Sequence, residues 1–271
     1  MKRLLVLLLI LPGVRLAAQD CEVRGVRVVE ESTGDVIRLY VESTGCLDLT
    51  ITVTPKLENM RANQPLPLTV ETKGRSRVEL LALERLSAQQ AWHYSFTYAW
   101  QYGGRGGQPD QTVYLLPFEA RAHHRLVQGY GGGFSHQAGS RNEYAHDWDL
   151  AEGSIVQAAR DGVVVGVRQD SNRGGVAEQF KNCANYVIIR HADGTYGEYL
   201  HLKQNGVYVH LGDQVTAGQP IAFSGNTGYS SRPHLHFAVF RTIDGQRRET
   251  LPVRFRTKNG NVQSLQEGKT Y

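Results

Sequence analysis

Apolar and polar positions alternate with a period of two through much of this chain, and a helical period is nearly absent. Asp35–Glu42 and Leu47–Thr54 flank Ser43-Thr44-Gly45-Cys46 in the manner of a hairpin. Trp92 to Trp100 sets an aromatic residue against a small or polar one at every second position, which suits a half-buried strand. Gly103 to Gly107 forms a loop tip, and Thr112–Leu116 reads as a returning strand. Leu80–Gln90 is the single candidate helix, and it also fits a strand followed by a turn.

New behaviour begins at Pro117. Ser154–Arg160 and Val163–Val167 flank Asp161-Gly162, and Tyr186–His191 and Thr195–Leu202 flank Asp193-Gly194. Asp-Gly between alternating runs is a strong signal for a tight hairpin. The expected fold is all-β: a β-sandwich over residues 19–116, then an antiparallel β domain over 117–271. No internal repeat or low-complexity segment interrupts it.

Composition changes this picture at the N-terminus. Met1-Lys2-Arg3 precedes the apolar run Leu4–Leu11, Pro12-Gly13 breaks the run, and Leu16-Ala17-Ala18 follows. That is the layout of a secretory signal peptide cut after Ala18, and its core is far shorter than the roughly 20 residues of a membrane span. Removing residues 1–18 removes Lys2, Arg3 and Arg15 and no acid, so the formal charge falls from +4 to +1. The basic balance therefore belongs mainly to the leader and gives no support for nucleic-acid binding. A periplasmic or secreted location makes a disulfide expected among the three cysteines. Cys21 and Cys46 share the N-terminal region and are paired in this reading, leaving Cys183 as a buried, inert thiol.

The candidate chemistry centres on His234-Leu235-His236, between a Gly/Ser/Pro loop and an apolar run. Residues i and i+2 of a strand share a face, so both imidazoles would meet one place. Gly129–Gly133 has the glycine content of a phosphate loop, but no Lys-Ser/Thr and no helix follow it. It and the polar insert Gln169–Asn182 are expected as walls of a groove.

Five blocks stand in order: Tyr144-Ala145-His146-Asp147 with Gly153-Ser154-Ile155-Val156; Ala159 to Val164; His191-Ala192-Asp193-Gly194-Thr195; Tyr199-Leu200-His201-Leu202; and Gly225-Asn226-Thr227-Gly228 through His234-Leu235-His236-Phe237. Together they resemble the lysostaphin-type zinc endopeptidases that cut peptidoglycan peptides, over about residues 117–245. The resemblance implies one zinc ion held by Asp147, His236 and a further ligand, with His201 and His234 serving catalysis. The family places a His four residues before the Asp, where this chain has Glu143. His136, in a Phe-Ser-His block upstream of a longer loop, is the preferred third ligand, and Glu143 is the alternative. The implied partner is a peptidoglycan peptide or an extracellular protein. A catalytically silent member of the fold that binds or regulates wall components is the rival reading. Of the remaining groups, His146 is expected to point outward, away from Asp147, and His191 and His210 to be surface or hairpin residues. Asp149 either orients a ligand or is solvated.

Overall fold

The computed structural model describes residues 26–43, 48–119, 121–258, 260–262 and 264–271. The expected signal peptide, Cys21 and Cys46 lie outside the described residues. Seven strands come first: β1 (Val26–Thr33), β2 (Val36–Ser43), β3 (Leu49–Glu58), β4 (Met60–Ala62), β5 (Leu68–Thr72), β6 (Ser76–Arg85) and β7 (His93–Tyr102). They form two antiparallel sheets, ordered β1-β2-β6-β4 and β5-β3-β7. The period-two pattern of β2 turns Ile37, Leu39 and Val41 inward, where with Leu81 and Leu83 they meet Leu49, Ile51 and Val53 of the facing sheet.

Two local expectations change here. β2 pairs with β1 and β6, and β3 with β5 and β7, so β2 and β3 are not hairpin partners. Their apolar sets oppose each other across the core instead of lying side by side. The candidate helix at Leu80–Gln90 is instead the end of β6 and a turn. Leu80, Leu81, Ala82 and Leu83 are all buried, so both faces of the strand are apolar there and the run shows no clean period.

The second part holds β8 (Val113–Leu115), β9 (Leu126–Gln128), β10 (His146–Trp148), β11 (Ile155–Gln157), β12 (Gly162–Arg168), β13 (Gly174–Gly175), β14 (Tyr186–Arg190) and β15 (Tyr196–Leu200). It continues with β16 (Leu202–Val207), β17 (Gln214–Val215), β18 (Pro220–Ser224), β19 (Gly228–Tyr229), β20 (Leu235–Thr242), β21 (Arg248–Thr250), β22 (Arg254–Thr257) and β23 (Gly260–Val262). The largest sheet runs β17-β12-β14-β15-β20-β10-β9, with β21 against β20. Trp148, Phe237, Phe255, Leu126 and Val156 fill the core beneath it.

The hairpin at Asp193-Gly194 forms between β14 and β15, with Gly194 at φ +78. The one at Asp161-Gly162 does not, because β11 pairs with β18 in another sheet while β12 pairs with β14 and β17. Asp161 instead ties three segments together: its carbonyl accepts the His191 Nδ1–H (2.8 Å) and its carboxylate accepts the Ala217 N–H (2.6 Å). His191 is thereby a buried residue of the β14–β15 hairpin and not a surface one. Residues 113–115 do not return onto β7. They pair in parallel with β22, and Tyr114 enters the second core.

The two parts dock closely. The β20–β21 turn presses onto the β3–β7 face, where the Gly245 N–H donates to Thr52 Oγ1 (2.9 Å). A Cβ on Gly245 would meet the Thr52 backbone nitrogen at 2.2 Å, so only glycine fits this approach. The Tyr102 and Tyr186 hydroxyls hydrogen-bond at 2.5 Å across the same junction. Cys183 is buried and disulfide-bonded, which corrects its expected role as the spare thiol. Among the described residues no helix is long and apolar enough to cross a membrane.

Candidate active site

One row of side chains crosses the large sheet. Tyr186, Leu200, His236, Asp147 and Gln128 are successive cross-strand partners on β14, β15, β20, β10 and β9. Cross-strand partners share a face, so His236 and Asp147 meet although they are far apart in the chain. His236 Nδ1–H donates to Asp147 Oδ1 at 2.8 Å. Gln128 Nε2 donates to Asp147 Oδ2 (3.0 Å) and to Ser135 Oγ (2.7 Å). Its Oε1 accepts the Phe134 and Ser135 N–H groups, both at 3.1 Å. This amide clamps the Phe134-Ser135-His136 loop down onto the row.

The clamp delivers His136. Its ring is fully buried, its Nδ1–H donates to the Gly129 carbonyl (3.2 Å), and its Nε2 lies 3.5 Å from Asp147 Oδ2. That Nε2 has no hydrogen-bond partner. One ligand atom from each of His136, Asp147 and His236 falls within 4.8 Å of the others. Glu143 stands apart, since its carboxylate caps the Gly139 N–H at 2.8 Å.

His201 and His234 sit beside this cluster and share one arrangement. The Thr227 carbonyl accepts the His201 Nδ1–H at 2.6 Å, and the Arg232 carbonyl accepts the His234 Nδ1–H at 2.9 Å. Each Nε2 is left as a base facing the cavity that both residues line. The two ring centroids are 4.4 Å apart, and the His201 ring is 6.1 Å from that of His236. His201 holds φ +64, a left-handed backbone that turns its ring from the strand line toward the cluster. Burial pushes His201 down to about 3, with His234 and His236 acting in the same sense. Burial also pushes His136 down to about 4 against the pull of Asp147. Both rings are therefore neutral near pH 7, with lone pairs free. Burial alone would raise Asp147, but the hydrogen bond from His236 and the nearby His136 hold it well below the carboxylate range.

Residues 141–249 match peptidase family M23. The chain carries an M23 peptidase domain. Relatives of this M23 domain include the glycyl-glycine endopeptidase ALE-1 of Staphylococcus capitis, 37% identical over 112 residues that cover 41% of this chain and 28% of the relative. The peptidoglycan DD-endopeptidase ShyA of Vibrio cholerae is 37% identical over 93 residues, covering 34% of this chain and 19% of its own length. Lysostaphin of Staphylococcus simulans is 35% identical over 112 residues, 41% of this chain and 20% of that one. The chain thus spans less than a third of the length of these relatives.

Around the M23 site, some residues stand elsewhere than the sequence led one to expect. His146 does turn away from Asp147, but into the core, where it packs against Tyr130 (4.6 Å) and Phe255 (4.9 Å). His210 and Asp149 are exposed. Gln128, Glu198 and Arg248 escaped sequence reasoning altogether. Glu198 is 6% exposed and receives both Arg248 guanidinium N–H groups, at 2.5 and 2.6 Å. Its Oε1 lies 4.0 Å from His236 Nε2. A lone Glu in a strand reads as a solvated charge. Its one signal was sharing the period-two face of Tyr196 and Leu200.

Proposed function

We propose that this chain is an exported zinc-dependent endopeptidase that hydrolyses peptide bonds in peptidoglycan peptides, with residues 1–18 as leader, 19–116 as a β-sandwich module and 117–271 as the peptidase. The observation that carries the metal reading is the buried, unpartnered Nε2 of His136 aimed at the Asp147–His236 pair. A buried polar atom without a partner is costly, and a bound cation removes the cost. Two imidazoles and one carboxylate are the donor set of an open catalytic zinc site. Zinc held there supplies Lewis-acid activation of water and of the scissile carbonyl.

The chain's own groups do the rest. His201 or His234 takes the proton of the attacking water at Nε2 and returns it to the leaving amine. The other, when protonated, donates a hydrogen bond to the developing oxyanion. Their Nδ1–H bonds to fixed carbonyls hold both rings in the tautomer this needs. Were a cation held at His236 Nδ1 in place of that hydrogen, the ring's proton would move to Nε2, 4.0 Å from the Glu198 carboxylate.

The test measures zinc and cleavage together. His236→Ala and His136→Ala lose the ion, whereas Glu143→Ala keeps it. His201→Ala and His234→Ala keep zinc and lose roughly 10²–10⁴-fold in wall-peptide cleavage. Full zinc content in His236→Ala, or cleavage untouched by a chelator, overturns the reading.

A further inference from the structure

The cavity that holds His201, His234 and His236, about 1850 Å³ in volume, is also lined by five consecutive residues of β7, Tyr98 to Tyr102. Neighbours in a strand face opposite sides, so five in a row line a space only where it runs along the strand's edge. β7 ends its sheet, with β3 on one side and, among the described residues, no strand on the other. The ladder fixes which backbone groups face the free side. Gly103 N–H donates inward to Asp48, while the Tyr102 carbonyl accepts outward from the Thr242 hydroxyl. By the alternation of an antiparallel pair, the N–H and C=O groups of Trp100 and Tyr98 also point outward. Tyr98 is 40% exposed.

This edge is unguarded. Free edges are normally blunted by shortness, charge or proline. The other edges here obey that rule: β1 carries Arg27, Glu30 and Glu31, β4 has three residues, and β5 is short with Glu71. β7 runs ten residues with no Lys, Arg, Asp, Glu or Pro.

We propose that the free edge of β7 is a substrate-binding strand, on which an extended peptide of glycine or L-residues pairs with Tyr98 and Trp100 before running to the catalytic histidines. The site of cleavage rests on the peptidase reading; the pairing does not. Tyr102 touches Tyr186, and His236 lies two strands further across the sheet, about 10 Å. A few more extended residues, at up to about 3.3–3.6 Å each, cover that distance together with the two tyrosine side chains that separate β7 from β14. Pairing of this kind draws affinity from main-chain hydrogen bonds and tolerates varied side chains.

The test uses the full mature chain and a synthetic decapeptide of glycine and L-alanine, with binding read by calorimetry and cleavage by chromatography. Tyr98→Pro removes one outward N–H without touching the ladder to β3 and is expected to weaken binding roughly tenfold, with zinc content unchanged. Tyr98→Ala, which keeps the N–H, binds within about twofold of the parent. Independently of any protein variant, N-methylation scanned along the decapeptide should weaken binding at every second amide. No binding by the parent chain, or a scan without the period of two, overturns the proposal. A parent chain that binds with the alternating pattern but neither holds zinc nor cleaves would keep this proposal and sink the peptidase reading. Cleavage with an N-methyl scan lacking the period would do the reverse.

Discussion

Arg248→Met tests how the site is held together. The Arg248 and Glu198 side chains are 6% and 8% exposed, and two short hydrogen bonds join them. Burial would raise the Glu198 pKa, but Arg248 brings it to about 2. Methionine keeps much of the volume and leaves the carboxylate buried without its cation. Removing one partner of a buried pair costs about 3–5 kcal/mol. A second route gives a similar ceiling. The stranded carboxyl escapes by protonating, and at pH 7 that costs about 1.4 kcal/mol for each unit above an ordinary value of about 4.3, or about 3.7 kcal/mol. The expected loss is therefore about 3–4 kcal/mol in urea unfolding at pH 7. It shrinks by about 2–3 kcal/mol at pH 5, where protonation is cheaper. Arg248→Met combined with Glu198→Leu should recover most of the loss, because an apolar pair needs no charge compensation. A loss under about 1 kcal/mol for Arg248→Met at pH 7 would refute the claim that this pair is sealed from water.

Other outcomes follow from single contacts. Tyr199→Phe removes the hydroxyl that accepts the buried Ala159 N–H at 2.7 Å, and should cost about 1–3 kcal/mol in denaturant unfolding. Gly228→Ala places a Cβ within 2.6–2.9 Å of Ala184 at φ +84, so it should lower the melting temperature. Because Thr227, the anchor of His201, is adjacent, cleavage should fall more than zinc content does. Burial opposes ionisation of Asp193, but Thr195 and Arg160 outweigh it and bring its pKa to about 2 from 3.8. A folded value below the unfolded one gives stability that is full above about pH 4 and lost as pH falls toward 2. Asp193→Asn should flatten that part of the acid-denaturation curve, and an unchanged curve would remove Asp193 from the account.

The sequence by itself determined a good deal. Period-two alternation specified an all-β chain, since side-chain direction in a strand follows from position alone. The spacing of His234 and His236 put both on one face for the same reason. Asp193-Gly194 marked a real hairpin because its flanking runs were genuine neighbours, and the ordered blocks pointed to the M23 peptidase domain. Other features depended on which strands lie side by side, which no local pattern encodes. Asp161-Gly162 carried the same turn signal, yet its flanking strands belong to different sheets. The candidate helix at Leu80–Gln90 turned on burial of both strand faces. Tertiary structure alone decided how His136 reaches Asp147, through the Gln128 amide that pins its loop. It alone buried Glu198 against Arg248, fifty positions away, beside His236. The physical reason is common to these cases: hydrogen-bond partners and burial are set across the sheet, at right angles to the chain along which the sequence is read.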